Sequence, residues 1–496
     1  MEQITLSAVL QALMLIGLIS NLFGQWLQKH VSISRLLPWK LPKSKDASPS
    51  SEESISKPIA ESILSTCKDS QHPCAHSLAT LLQQDGAGCW PPRTNHAVSS
   101  WPAALRPYRQ IWDDLSPLIP TPNSSRLLDD DANKRRIGHF RCLMRENLAM
   151  RIDIGQVMEV LEDDTPSRLG QDTVNALYCC LAMLRHGYRW AVIPAVKVAQ
   201  LETALDIPSE LGTPWKLLQR RYGLKAESSN LTGTILHNFT NEGEFVFNIN
   251  AGMPEHLQKC EEHFCRISYS TETLALPIYN EMVQAIVAFD RSDKAATLRH
   301  VENIYPQLGH VLRVFYDTMH DGHVPRSLWL SHVQSFQAWG LDRVNAETGE
   351  KVRDNGVSGS HLLFFQALDS FLGIDRYLSH TDLLNSIPVR QRAFCEALKK
   401  HSPRGRLSSG RAAGVANDGS ADLDPMIERG FSKIAERLKV FRAAHKTRVM
   451  PYLSVPAPER LPMTAGRSVL KGGGDNLANA LEPLRALLVK RHNDTV

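Results

Sequence analysis

The chain has 496 residues, of which 43% are hydrophobic, so it is long enough for two or three domains with substantial cores. Its formal net charge is only +4, and its basic residues are dispersed without long basic blocks, which argues against nucleic acid as a partner. Its nine cysteines are an odd number and include no CxxC pair, so the sequence indicates neither a disulfide framework nor a zinc site.

The N-terminal segment, residues 1–28, is predicted to be a hydrophobic anchor. No charged residue lies between Glu2 and Lys29, and an apolar run of about 20 residues is long enough to cross a membrane. Basic residues follow this run, so the positive-inside rule predicts a membrane anchor over residues 4–24, with the rest of the chain facing the cytoplasm. An amphipathic or buried helix and a cleavable signal peptide are the alternatives, although a signal peptide normally has Lys or Arg before its apolar core.

Composition and periodicity divide the next part of the chain. Residues 29–100 are predicted to form a flexible linker, because residues 41–60 are polar and rich in Ser and Pro. Residues 101–253 are predicted to form a small, mixed and mostly helical domain. Helical periodicity returns there between residues 136 and 216, and a connection rich in Asn, Thr and Gly follows over residues 227–253.

The chain from residue 254 to residue 496 is predicted to be a large helical domain. Apolar residues recur at helical spacing, and the candidate helices cover residues 255–270, 272–290, 294–319, 325–339, 359–373, 389–400, 424–450 and 475–491. The predicted fold class is therefore mainly α, with a large all-helical domain preceded by a smaller mixed, mostly helical domain.

The predicted helix 424–450 carries a histidine within its apolar stripe. Residues at three- and four-residue steps form one helix face, namely Ile427, Phe431, Ile434, Leu438, Phe441, His445 and Val449. Asp424 is expected to cap the helix and Pro451 to end it. A buried imidazole needs a hydrogen bond or a ligand, so His445 is either a satisfied core histidine or a binding residue.

Three further motifs accompany this helix. Residues 354–360 form a Gly- and Ser-rich loop, residues 365–374 read Phe-Gln-Ala-Leu-Asp-Ser-Phe-Leu-Gly-Ile, and residues 471–475 read Lys-Gly-Gly-Gly-Asp. Together with residues 441–452, these motifs make the chain from about residue 175 to residue 488 resemble the indoleamine 2,3-dioxygenase family of haem enzymes.

The resemblance implies haem b as cofactor, molecular oxygen as co-substrate and an electron donor that keeps the iron ferrous. It implies that His445 is the axial ligand of the metal. It also implies that Arg442 is paired with Asp369, since paired charges are stabilised beside a buried cofactor. Gly473 and Gly474 would belong to a loop that closes over the haem edge, where glycine lets the backbone approach a flat group.

The resemblance further implies a distal pocket for an aromatic substrate. The residues with an implied catalytic role are Ser268, Trp329 and His332. The residues expected to form the substrate pocket are Phe264, Leu328, Val333, Ser358 and Gly359. Trp329 is expected to stack on the substrate, although its position is also consistent with an ordinary core tryptophan.

One departure from the family pattern bears on the substrate. The family's distal helix has an arginine that holds the carboxylate of tryptophan, and ungapped matching from His320 to Trp339 puts Val333 at that position. Valine cannot replace a bidentate guanidinium. The chain is therefore predicted to be a haem-dependent dioxygenase that cleaves the C2–C3 bond of an indole. An indole-containing secondary metabolite without a free carboxylate is favoured over tryptophan.

Two alternative functions are compatible with the loss of that arginine. One is a haem-dependent mono-oxygenase or peroxygenase of a related aromatic compound. The other is a haem- or oxygen-binding protein without turnover, because resemblance at the level of the fold does not by itself establish an activity.

Overall fold

The computed structural model describes residues 50–123, 126–163, 169–344, 348–412 and 423–453, together with residues 463–464, 467–468, 486, 489–490 and 492–495. The described residues lie in one unit, Pro49–Val496. The predicted anchor in residues 1–28 and the predicted cofactor residues Gly473 and Gly474 lie outside the described residues. Among the helices that are described, none is both long enough and apolar enough to span a membrane.

The described unit is built mainly of helices, which confirms the predicted mainly-α fold class. The helices of the first half are α1 (Ser50–Asp69), α2 (Pro73–Gln84), α3 (Arg106–Leu115), α4 (Asp130–Arg151), α5 (Ile154–Glu162), α6 (Gln171–Trp190), α7 (Lys197–Gln200), α8 (Ser209–Tyr222) and α9 (Leu231–Thr234). Side-chain capping begins several of them; for example, the Asp129 carboxylate accepts a hydrogen bond from the backbone N–H of Ala132 at 2.9 Å at the start of α4.

The second half contains the longest helices. They are α10 (Glu255–Asp290), α11 (Lys294–Thr318), α12 (Arg326–Leu328), α13 (Ser335–Gln337), α14 (Leu363–Leu372), α15 (His380–Ser386), α16 (Val389–His401), α17 (Pro403–Ala412) and α18 (Asp424–Leu453). A π-helical turn, Trp329–Gln334, connects α12 to α13. Two short antiparallel pairs add a little sheet, β1 (Leu341–Val344) with β2 (Lys351–Asp354) and β3 (Met463–Thr464) with β4 (Arg467–Ser468).

The prediction of a flexible linker over residues 29–100 is wrong from residue 50 onward. Residues 50–69 and 73–84 are helical, and apolar side chains at helical spacing, such as Leu78 and Leu82, are fully buried in the large core. Trp90 is also fully buried there. Residues 41–60 are polar, but the residues that follow them have the apolar spacing of helices that pack into the core. The composition of residues 41–60 therefore does not predict the structure of the rest of the segment.

The helix boundaries differ from the sequence prediction at α10 and α18. The sequence predicts two helices before residue 291, but α10 continues through Thr271, whose hydroxyl donates to the backbone carbonyl of Ile267 at 2.6 Å. Asp424 begins α18 rather than capping it, and its carboxylate accepts from Lys294 at 2.9 Å. Pro451 lies in the last turn, which ends at Leu453.

Two clusters of buried apolar side chains form the core. The larger cluster joins α1, α2, α10, α11, α14, α16 and α18. The second draws nearly all its members from residues 101–249 and surrounds α6, in which every residue from Thr173 to Trp190 is buried. Residues 49–496 form one compact unit, so no separation into domains is seen within its described residues. The boundary between a small domain, residues 101–253, and a large one, residues 254–496, remains a prediction.

A buried carboxylate, Glu261, connects α10 to the loop that precedes it. It accepts hydrogen bonds from the backbone N–H of Ile249 at 2.9 Å and from the side-chain amide of Asn250 at 2.7 Å. The same amide donates to the backbone carbonyl of His332 at 3.1 Å. Burial outweighs these hydrogen bonds and raises the pKa of Glu261 from 4.5 to about 7.

This raised pKa predicts a pH-dependent stability. Between about pH 4.5 and pH 7 the folded protein holds a proton on Glu261 that the unfolded chain releases, so the free energy of unfolding decreases as the pH rises through this window. The total loss is on the order of 3 kcal/mol, at about 1.4 kcal/mol per pH unit. Chemical denaturation of Glu261→Gln is expected to show a shallower pH slope than the wild type. The neighbouring, partly exposed Glu262 provides the control, and a Glu262→Gln slope as shallow as that of Glu261→Gln would contradict the assignment.

Candidate functional site

A cavity of about 550 Å³ lies between α10, the π-helical turn, α14 and α18. Its wall is mostly apolar, and its volume falls in the range of sites for small molecules and cofactors. Eight of the residues predicted from the sequence border it, namely Phe264, Ser268, Trp329, Ser358, Gly359, Asp369, Arg442 and His445. The fold thus gathers segments that are up to 181 positions apart in the chain, from Phe264 to His445, around one apolar space.

His445 reaches the cavity from α18. Its ring packs against Phe315, with the ring centroids 4.8 Å apart, and against Phe441 at 5.9 Å. Burial and the positive charge of Arg442 lower the pKa of His445 to about 4, so the imidazole is neutral at pH 7. It makes no hydrogen bond to any residue in the described ranges. A neutral imidazole beside a cavity has the lone pair that metal coordination requires.

The predicted charge pair beside this histidine is present. The Arg442 guanidinium donates to the Asp369 carboxylate at 2.6 Å, and both side chains are buried. Arg442 also donates to the hydroxyl of Thr495, near the C-terminus. Burial lowers the pKa of Arg442 to about 10, which leaves the guanidinium charged at neutral pH. The pair joins α14 to α18 at the edge of the cavity.

Three residues predicted for the distal pocket do not border the cavity. Val333 is buried in a separate apolar cluster with Cys260 and Leu330, and Leu328 packs against that cluster. The imidazole of His332 lies 2.8 Å from the Ser331 hydroxyl.

The physical reason lies in the geometry of the π-helical turn, whose hydrogen bonds close over five residues instead of four. The ungapped match from His320 to Trp339 fixes the position of Val333 in the chain but not the direction of its side chain. Gln334 and Gln337 border the cavity instead. Sequence reasoning missed both, and two glutamines three residues apart on the predicted helix 325–339 were the available signal.

These two glutamines border the cavity and hold buried polar atoms that are unpaired. Gln334 is only 1% exposed, and neither its Oε1 nor its Nε2 has a hydrogen-bond partner in the described part of the chain. The same holds for Oε1 of Gln337 and for the indole Nε1 of Trp329.

The charged side chains at the cavity are already engaged. Arg376 pairs with Glu396, and Arg392 donates to the backbone carbonyls of Gly223 at 3.1 Å and Ile387 at 2.5 Å. Arg442 pairs with Asp369, as described above. No lysine borders the cavity within the described residues. The arginines of the wall are therefore occupied by their own partners, and in the described part of the chain a ligand would meet a surface without an unpaired charge.

A mainly helical fold with a mostly apolar cavity and a neutral histidine on its wall is typical of proteins that bind a cofactor or an aromatic ligand internally. The family model described as Indoleamine 2,3-dioxygenase matches residues 141–480, which is more than half of the chain. The chain belongs to the indoleamine 2,3-dioxygenase family, whose members are haem-dependent dioxygenases and therefore oxidoreductases. A comparison with curated proteins finds no match.

The buried ion pair leads to a stability prediction. Asp369→Ala leaves the Arg442 guanidinium buried without its carboxylate, and we expect the free energy of unfolding to decrease by about 3–5 kcal/mol. Chemical denaturation measures this loss. The exposed pair of Glu255 and Lys259 provides the comparison, since water screens it and Glu255→Ala is expected to cost much less than Asp369→Ala. Equal losses in the two variants would contradict a structural role for the buried pair.

Proposed function

We propose that this chain is a dioxygenase that binds haem b through His445 and cleaves the C2–C3 bond of an indole without a free carboxylate. The observation that carries the proposal is the neutral imidazole of His445 at an apolar cavity, in a chain of the indoleamine 2,3-dioxygenase family. The buried pair of Arg442 and Asp369 would lie beside the cofactor and fix the histidine-bearing helix. Bound haem would supply the redox chemistry with molecular oxygen, and a separate electron donor would keep its iron ferrous.

The side chains of the wall would exclude water and orient the substrate. Phe315, Phe365 and Phe441 contribute apolar surface near His445. Trp329 packs edge-on against Phe264 with the ring centroids 5.8 Å apart, so the two rings form an aromatic corner at the cavity. An indole would be held there by aromatic contacts and desolvated before reaction. The Ser268 hydroxyl adds a polar group on α10, whereas His332, which does not border the cavity, has no direct part in this proposal.

Charge at the cavity supports a substrate without a carboxylate. A carboxylate in an apolar site requires a cationic or multiply donating partner. Val333 lies in the core, and the arginines of the wall are occupied by carboxylates or backbone carbonyls. Binding a carboxylate would therefore require breaking an existing pair, whereas a neutral indole would leave all of them intact.

Haem binding is tested by the absorption spectrum of the full chain with added haem, before and after reduction under carbon monoxide. We expect a Soret band that is lost or strongly altered in His445→Ala, because the imidazole is the proposed axial ligand. His300→Ala is the matched control, since His300 pairs with Glu281 on α11 and α10 and does not border the cavity. A spectrum that is the same in wild type and His445→Ala would return His445 to the role of a core residue.

Substrate class is tested by turnover of the reduced, haem-loaded protein. Neutral indoles such as 3-methylindole are expected to give a higher kcat/KM than L-tryptophan, because the wall has no unoccupied cation for a carboxylate in the described residues. Product mass spectrometry is expected to show the gain of two oxygen atoms. Turnover of L-tryptophan at least as efficient as that of neutral indoles, or the gain of a single oxygen atom, would overturn the proposal.

A further inference from the structure

The carboxamide of Gln334 is a buried polar group at the cavity. It is 1% exposed, it borders the cavity, and both of its polar atoms lack partners among the described residues. Folded proteins rarely leave a buried amide without any hydrogen bond, because the desolvation of each polar atom is then uncompensated. The assignment of oxygen and nitrogen in the amide does not affect this point, since both atoms are unpaired.

Two neighbouring groups extend the same polar edge. The Gln337 Oε1 and the Trp329 Nε1 are also buried and unpaired in the described structure, and both residues border the cavity. These atoms are covered in the structure, so a ligand would reach them after small side-chain rotations. The edge would then offer donors from Gln334 and Trp329 and acceptors from Gln334 and Gln337. None of these groups is charged.

The backbone around this edge is held firmly. The backbone carbonyl of Gln337 accepts from the N–H of Val357 at 3.1 Å. Gly356 lies against it so closely that a Cβ at that position would be 2.0 Å from the Gln337 carbonyl oxygen. The backbone that carries Gln337 is therefore fixed on one side of this edge.

We infer that Gln334 is a specificity-determining residue that recognises a neutral carboxamide on the side chain of the indole, with Gln337 as a second acceptor. A carboxamide presents one acceptor and two donors, which matches an edge containing both kinds of group. A carboxylate presents only acceptors, so it could pair with the donors of Gln334 and Trp329 but would leave the oxygen atoms of both glutamines without a donor. This inference rests on the proposed function for the indole part of the ligand and adds the chemistry of the substituent.

The inference is tested by equilibrium binding to the haem-loaded full chain, without turnover. Indole-3-propionamide and 3-isopentylindole have nearly the same shape and differ in the amide. We expect the wild type to bind the amide roughly tenfold or more tightly, since the hydrocarbon leaves the glutamine atoms unpaired. Gln334→Met is expected to remove this preference and still to bind 3-isopentylindole. Its thermal unfolding midpoint is expected to be no lower than that of the wild type, because the replaced amide is unpaired.

A second glutamine on the same cavity provides the control. The Gln366 amide already donates to the backbone carbonyl of His361 at 3.2 Å, so Gln366→Met is expected to leave the preference for the amide unchanged. The inference is overturned if the wild type shows no preference, if neither compound binds, or if Gln334→Met keeps the preference.

The two proposals fail separately. Dioxygenation of neutral indoles without a preference that depends on Gln334 would remove this inference and leave the proposed function. A preference that depends on Gln334 in a protein that does not oxygenate indoles would support amide recognition and remove the dioxygenase proposal.

Discussion

The orientation of α18 about its own axis is the constraint on which the site depends. Its apolar stripe from Ile427 to Phe441 is buried in the large core, and Arg442 is fixed by the 2.6 Å ion pair with Asp369 on α14. His445 lies three residues beyond Arg442 on the same side of the helix, so the contacts that hold the stripe also direct the imidazole to the cavity. A slip of one residue would turn the ring away by about 100°.

The cavity combines many charged neighbours with a neutral interior. Each guanidinium at its wall has a carboxylate or backbone carbonyl as partner, so the remaining polar groups of the described wall are neutral imidazole, carboxamide and hydroxyl groups among aromatic rings. In a medium of low polarity this arrangement favours flat, uncharged molecules, because burying an unpaired ion there costs far more than burying a hydrogen-bonded neutral group. The paired charges therefore stabilise the wall, and the neutral groups determine which ligands bind.

The sequence was sufficient where one regular pattern decides the structure. The three- and four-residue steps of α18 identified its buried face and the position of His445, and two distant motifs together identified the pair of Asp369 and Arg442. The sequence-based prediction failed where the type of helix or the packing of distant segments determines the structure. Nothing in the spacing before Trp339 distinguishes a π-turn from an α-turn, and the family match that places Val333 in the pocket does not show that Gln334 borders the cavity instead. The burial of α1 and α2 depends on partners more than 150 residues away, and the polar start of that region concealed it.

The π-helical turn has a consequence for how binding preference can change in this fold. The side chains that face the cavity are selected by the number of residues in one turn, and not only by their identity. Loss of a single residue there would restore α-helical geometry and move every following side chain of the turn by one position round the helix axis. The wall could then exchange a polar carboxamide for an aliphatic side chain while the amino-acid composition of the segment stays almost the same. Length variation is therefore a shorter route to a new ligand preference than substitution at this wall.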